Sequence, residues 1–176
     1  MDFLPLKIEG SGLFIDRVFR DVRGAFEVFW ELDEIEKAGI SFKPVSSHHS
    51  YNTLRGTLRG MHYQIQPHGQ AKLVSCISGA VYDVMVDLRP GSPTYLSWEA
   101  VELPAGCGKS IYIPAGCAHG FVTLQDNTTI GYLIEGIYKP EAAGTLRWND
   151  PAVGINWPIQ EPILSDRDRN APDLKL

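Results

Sequence analysis

Residues 81–88 read Val-Tyr-Asp-Val-Met-Val-Asp-Leu. On an extended chain Tyr82, Val84, Val86 and Leu88 fall on one side, with Asp83, Met85 and Asp87 on the other. That period of two is a strand signal. Working outward, the same kind of short run returns in LRGMHYQ (58–64), AKLVSCIS (71–78), TYLSWEAVEL (94–103), KSIYIP (109–114) and TTIGYLIEGIY (128–138). Turn chemistry separates the runs: IQPHGQ, RPGSPT, PAGCGK, LQDN and KPEAAG. The 17 glycines and 12 prolines are spread as this punctuation and do not gather into a linker. Only ELDEIEKAGI (31–40) reads as a helix, with Asp33 as its N-cap and Gly39 as its stop. Many short strands with almost no helix predict an all-β sandwich or barrel-like jelly roll.

The bulk numbers agree with a single domain over residues 1–176. Apolar residues make up 44% and charged residues 21%, an ordinary balance for a globular chain. The net charge of −5 argues against a nucleic-acid partner but allows a small anion held by a few converging cations. No run approaches the roughly 18 apolar residues of a membrane span, and MDFLPLKIEG lacks the pattern of a signal peptide. Cys76, Cys107 and Cys117 show no metal-type spacing and are read as reduced thiols, so the expected location is the cytoplasm.

Several catalytic signatures are missing. The chain has no GxGxxG after a strand, no GxxxxGK[ST], no HExxH and no GxSxG. Two other segments carry chemistry: Gly56 to Gln64, followed by Lys72 and Gly79, and Gly108 to His119 through Pro114 and Gly116. Their glycine, proline and first-histidine spacings resemble the two motifs of the metal-binding cupins. Gln64, however, stands where those proteins place a second histidine, and Lys72 where a carboxylate is expected. An ammonium repels a divalent cation and an amide is a weak ligand, so neither a metal nor a cofactor is expected.

The histidines are then available for acid–base work, because imidazole titrates near neutral pH. His62 and Gln64 share strand parity, and so by the same count do Tyr132, Ile134 and Tyr138. A histidine base, a phenol and a lysine beside a carbonyl oxygen suit proton abstraction next to a ketone, with the enolate oxygen stabilised and the proton returned to the other face. Read singly, Tyr132 would be packing and His62 as easily a satisfied core residue; spacing alone leaves the chemistry open.

The order and spacing of LRGMHYQ (58–64), AKLVSCISGAVYDVMVDLRPGSPTY (71–95), IPAGCAHGF (113–121) and WNDPAVGINWP (148–158) resemble the dTDP-4-dehydrorhamnose 3,5-epimerase family. The resemblance runs from about Asp21 to Pro172. It implies a cupin jelly roll (double-stranded β-helix) with one or two short helices, an isomerase needing no cofactor, and a nucleotide-diphosphate 4-keto-6-deoxy sugar as substrate. It also implies a homodimer that exchanges strands. By resemblance His62 is the base, Tyr132 the acid, and Lys72 the neighbour of the keto oxygen. Asp168 pairs with His62, with Asp83 as the fallback, and the polar stretch 163–176 folds over the site. Arg23, Arg59 and His119 match positions that hold the diphosphate, Phe26 and Tyr138 match aromatic positions at the base, and Arg167 keeps the charge of a usual lysine.

Val28, Ser47, His49 and Ala143 depart from the pattern of thymidine-nucleotide users, leaving dTDP, GDP, CDP and UDP sugars open. Inversion at carbon 3, carbon 5 or both is equally open. A keto-isomerase cupin, a non-catalytic sugar-nucleotide-binding cupin and a metal-dependent oxygenase are the alternatives.

Overall fold

The computed structural model describes residues 1–174; Lys175 and Leu176, the last two residues of the 163–176 stretch, lie outside the described residues. Thirteen strands follow one another: β1 (Asp2–Pro5), β2 (Gly12–Ile15), β3 (Arg17–Asp21), β4 (Gly24–Val28), β5 (Ser46–Asn52), β6 (Leu58–Gln64), β7 (Lys72–Ser78), β8 (Ala80–Asp87), β9 (Trp98–Pro104), β10 (Lys109–Ile113), β11 (Cys117–Thr123), β12 (Thr128–Ile134) and β13 (Ala143–Thr145). They form a six-stranded sheet in the order β1-β2-β10-β7-β12-β5, a five-stranded sheet in the order β13-β6-β11-β8-β9, and the separate hairpin β3-β4. The named strand pairs are antiparallel. This is the all-β jelly roll expected from the punctuation, with two short α-helices among the described residues, α1 (Leu32–Lys37) and α2 (Asp166–Arg169), and a single 3-10 turn at Pro140–Ala142.

Strand β8 shows why the alternation alone left inside and outside undecided. Val81 and Met85 enter the central cluster between the sheets, with Val74, Ile111, Phe121 and Ile130. Asp83 and Asp87 share their parity and are fully buried. The more apolar face, carrying Val84 and Val86, packs the other way against Met61, Ala118, Leu146 and Val153. Residues beyond β13 therefore cover the outside of the five-stranded sheet, and the acid-bearing face of β8 points inward. Burying an acid is costly unless it is paired, so each inward Asp needs a partner. Asp87 takes Arg89 Nε at 2.8 Å and the hydroxyls of Ser92 and Thr94 at 2.6 and 2.7 Å.

The helix α1 differs from its expected cap. Glu31 is the N-cap and makes no side-chain cap bond, while Asp33 sits inside the first turn, its carboxylate paired with Lys37. A carboxylate in the first turn is also favoured by the helix dipole, so the sequence signal was real but two residues late. Gly39 ends the helix as expected. It adopts φ +78, and the bonds Gly39 N to Glu36 O and Ile40 N to Ile35 O close the terminus.

The hairpin β3-β4 projects as an arm. Phe19, Val22 and Phe26 on it are exposed. At its root lies Asp16, buried, with one carboxyl oxygen accepting from Ser110 Oγ at 2.9 Å and the other without a protein partner. Burial pushes the Asp16 carboxyl up to about 7, and the nearby Glu27 carboxylate pushes in the same direction. Cys76, Cys107 and Cys117 are free thiols. Among the described residues no helix is long and apolar enough to cross a membrane.

Candidate active site

Strand β6 supplies the centre of the site. Against β11 it pairs His62 with His119 but Arg59 with Phe121, four residues on one strand spanning three on the other. The extra residue is a bulge, which reaims the strand and lets Arg59 and His62 face the same cavity despite an odd spacing. Glycine is needed there. Gly60 has φ +139, and a Cβ on it would sit 2.6 Å from Gly120 Cα across the pair.

His62 Nε2 lies 2.7 Å from Asp168 Oδ1. Asp168 Oδ2 accepts the Gly60 N–H at 3.3 Å, and its own N–H donates to Ser165 Oγ, the cap of α2, at 3.2 Å. Burial alone would raise the Asp168 carboxyl; the His62 bond and charge, with Gly60 and Ser165, outweigh it and hold it below the usual carboxylate range. An ionised carboxylate only accepts, so the proton is placed on Nε2, and Nδ1 keeps a free lone pair for base work. The 163–174 segment therefore does fold back over the site. A parallel bridge between Thr57 and Ile163 anchors it.

Asp83, the fallback partner for His62, is engaged elsewhere. Both its oxygens lie 2.9–3.0 Å from His119 Nε2, and both residues are buried. Burial pushes His119 down, and the Asp83 charge pulls against that. Lys72, at the start of β7, is pushed down to about 8 by burial, again with Asp83 opposing. Tyr132 is held above the usual phenol range by burial and, secondarily, by Asp83, so it keeps its proton at neutral pH. Its ring stands edge-on to His119, centroids 6.0 Å apart. One buried carboxylate thus favours charge on Lys72 and the neutral form of Tyr132. Only an acid on an otherwise apolar strand hinted at this in the sequence.

His62 and Lys72 stand where two cavities meet. The larger, about 280 Å³, is lined by Arg59, His119, Tyr132, His48, Ser50, Phe121 and Ile134 as well. The smaller, about 160 Å³, brings in Tyr138, Arg167, Gln64 and Ala143. Asn52, missed in the sequence, fixes Arg59: its Oδ1 accepts from Arg59 Nε at 2.7 Å, and its amide donates to Ser50 O and Thr128 O, both at 3.1 Å. Arg167 Nε donates to Thr145 Oγ1 at 3.1 Å. Gln64 works as a brace. Its amide donates to His68 O at 2.7 Å and its oxygen accepts from Lys139 N at 2.6 Å. With that amide engaged and an ammonium beside it, the donor set suits an anion better than a divalent cation.

Other expectations need correcting. Tyr138 does border the site, but not through strand parity with Tyr132, since β12 ends at Ile134 and Tyr138 lies in the following loop. Ser47 and His49 face away from His62. They line a cavity of about 440 Å³ outside the six-stranded sheet, with Glu27, Phe29, Ile77 and Cys107. It is larger than either cavity at His62, yet of the acid–base residues it touches only Tyr132. Arg23 and Phe26 stand on the exposed arm, and Arg23 there pairs with Asp21; neither lines the two cavities that share His62.

Comparison with known proteins gives the family and the fold. The family described as dTDP-4-dehydrorhamnose 3,5-epimerase matches residues 5–175. The chain belongs to that family. A dTDP-4-dehydrorhamnose 3,5-epimerase of Sinorhizobium fredii is 42% identical over 99% of this chain and 90% of its own length. The crystal structure of the Bacillus anthracis enzyme of that name, with TDP and PPi bound, is 36% identical. It covers 98% of this chain and 99% of its own, with a TM-score of 0.95. A 3'-monoepimerase from Streptomyces bikiniensis, in complex with dTDP-quinovose, is 38% identical over 97% of this chain and 86% of its own, with a TM-score of 0.90. The chain is an isomerase of the epimerase class, built on a cupin jelly roll.

Proposed function

We propose that this protein epimerises a nucleotide-diphosphate-linked 4-keto-6-deoxyhexose, with His62 as base and Tyr132 as acid. The observation that carries the reading is one cavity lined by His62, Tyr132 and Lys72, with Asp168 bound behind the base. His62 Nδ1 takes the proton from a carbon next to the ketone. The electron pair of that C–H bond moves onto the keto oxygen, where the Lys72 ammonium stabilises it. The Tyr132 O–H returns a proton to the opposite face, which inverts the centre. One proton leaves and one arrives, so the reaction needs no redox partner or cofactor.

Arg59, His119 and Arg167 are the cations and polar groups for the diphosphate end, and Tyr138 offers an aromatic face. Arginine suits that task because its fork gives permanently charged, bidentate bonds. Arg23 and Phe26 support a homodimer, since their exposed arm gives them a role only if it completes the pocket of a second copy. The enzyme is read as cytoplasmic, as expected for three free thiols.

The test is solvent-deuterium uptake into dTDP-4-keto-6-deoxyglucose, followed by mass spectrometry and proton NMR. Deuterium at carbons 3 and 5 makes this a double epimerase like the relatives so named; deuterium at carbon 3 alone aligns it with the monoepimerase. No exchange with dTDP-, GDP-, CDP- or UDP-linked 4-keto sugars overturns the reading.

A further inference from the structure

Tyr132 presents a problem that the acid–base pair does not solve. After giving up its proton the phenol is an anion in a partly buried place, facing bound substrate, and a new proton must reach it before the next turnover. The groups around it are mostly unsuited to bring one. The His119 ring is buried, with Nε2 held by both oxygens of Asp83. Arg59 is permanently charged, and the Lys72 ammonium serves the enolate. His62 works on the other face of the sugar.

His48 is different. Strands β5 and β12 pair Tyr132 directly opposite His48, which places the two Cβ atoms roughly 4.5–5.5 Å apart on one face. Both line the cavity of about 280 Å³. β5 is an edge strand of its sheet, and His48 is exposed where Tyr132 is partly buried, so the imidazole is the more open of the two to bulk solvent. His48 Nε2 lies 3.1 Å from Ser46 Oγ, which leaves Nδ1 as the ring nitrogen without a protein partner.

We propose that His48 is a proton relay that restores the Tyr132 phenol after each inversion. The idea rests on the epimerase reading above. Water protonates the His48 imidazole; an imidazolium N–H bond then breaks as the phenolate oxygen takes that proton, directly or through one water. The proton that His62 removed from the sugar returns to solvent, so water gives one proton and receives one per inverted centre. His48 acts through Tyr132 and never bonds to the reacting carbon.

The experiment compares the full-length wild type with His48→Gln and His48→Ala on dTDP-4-keto-6-deoxyglucose, with dTDP affinity followed by calorimetry. Both variants should bind dTDP like the wild type and turn over at least about tenfold more slowly. The solvent isotope effect on kcat should rise. Added imidazole should restore His48→Ala, a readout that a packing defect would not move. His48→Gln keeps a polar partner for Ser46, so it carries the test if the alanine variant is unstable. Wild-type turnover in His48→Gln, or a loss in His48→Ala that imidazole leaves untouched while dTDP still binds, overturns the relay. If the wild type itself exchanges no deuterium with any 4-keto sugar nucleotide, the epimerase reading falls first, and the relay has no step to serve.

Discussion

The barrel interior and the β3-β4 arm answer to different rules. Inside the barrel, residues scattered from 48 to 134 converge on one cavity, and three of its polar groups have fixed partners: Asp168 for His62, Asp83 for His119, Asn52 for Arg59. On the arm, Arg23, Phe19 and Phe26 are exposed and meet none of the acid–base residues. On the proposed function, one chain carries the proton-transfer groups but an incomplete ligand cradle, with the arm left to serve a second copy.

The sharpest way to break this division is inside the barrel. His62→Ala should lower deuterium exchange by roughly 10²–10⁴-fold while dTDP still binds; exchange at the wild-type rate would remove His62 from the mechanism. Asp168→Asn leaves the base in place but unsettles its tautomer, and kcat should fall roughly 10–100-fold. On the arm the expected change lies in KM. Arg23→Ala should raise KM by about tenfold with kcat nearly kept, the loss of about one charge-assisted bond. Mixing His62→Ala chains with Arg23→Ala chains should restore pockets that have both residues, if the arm serves a second copy. A mixture no better than its parts would confine the arm to its own chain.

Two pH effects sharpen the contrast further. Lys72 loses its proton near pH 8, so turnover should fall as pH rises through that value. Asp16, at the arm's root, titrates near 7 in the folded chain against 3.8 for the ordinary carboxyl. Its folded-state value is raised, so the associated stability is present at pH below about 4 and is lost as pH climbs to about 7. Asp16→Asn should flatten Tm between those limits and raise it at neutral pH, an effect of a few kcal/mol at most by order of magnitude.

The same contrast explains what could be seen in the sequence. Strands, turns and the Gly56–Gln64 and Gly108–His119 segments were legible because they are local patterns, and they drew attention to His62 and Lys72, whereas Tyr132 stood out only through the family resemblance. Arg59 beside His62 needed a bulge that parity counting does not see. The Asp83–His119 pair joins two strands distant in sequence, and the alternation in β8 could not say which of its faces points inward. Tyr138 fell to a strand that stops four residues early. Ser47 and His49 departed from the family pattern at positions that, within one chain, look away from the catalytic cavity.

The position of Asp168 has a temporal meaning. The last sheet strand is complete at Thr145, but the carboxylate that orients the base arrives 23 residues later, carried by a four-residue helix. During synthesis every strand emerges before His62 has its partner. A chain ending short of Ser165 would hold the sequence of all the strands and no carboxylate beside that imidazole.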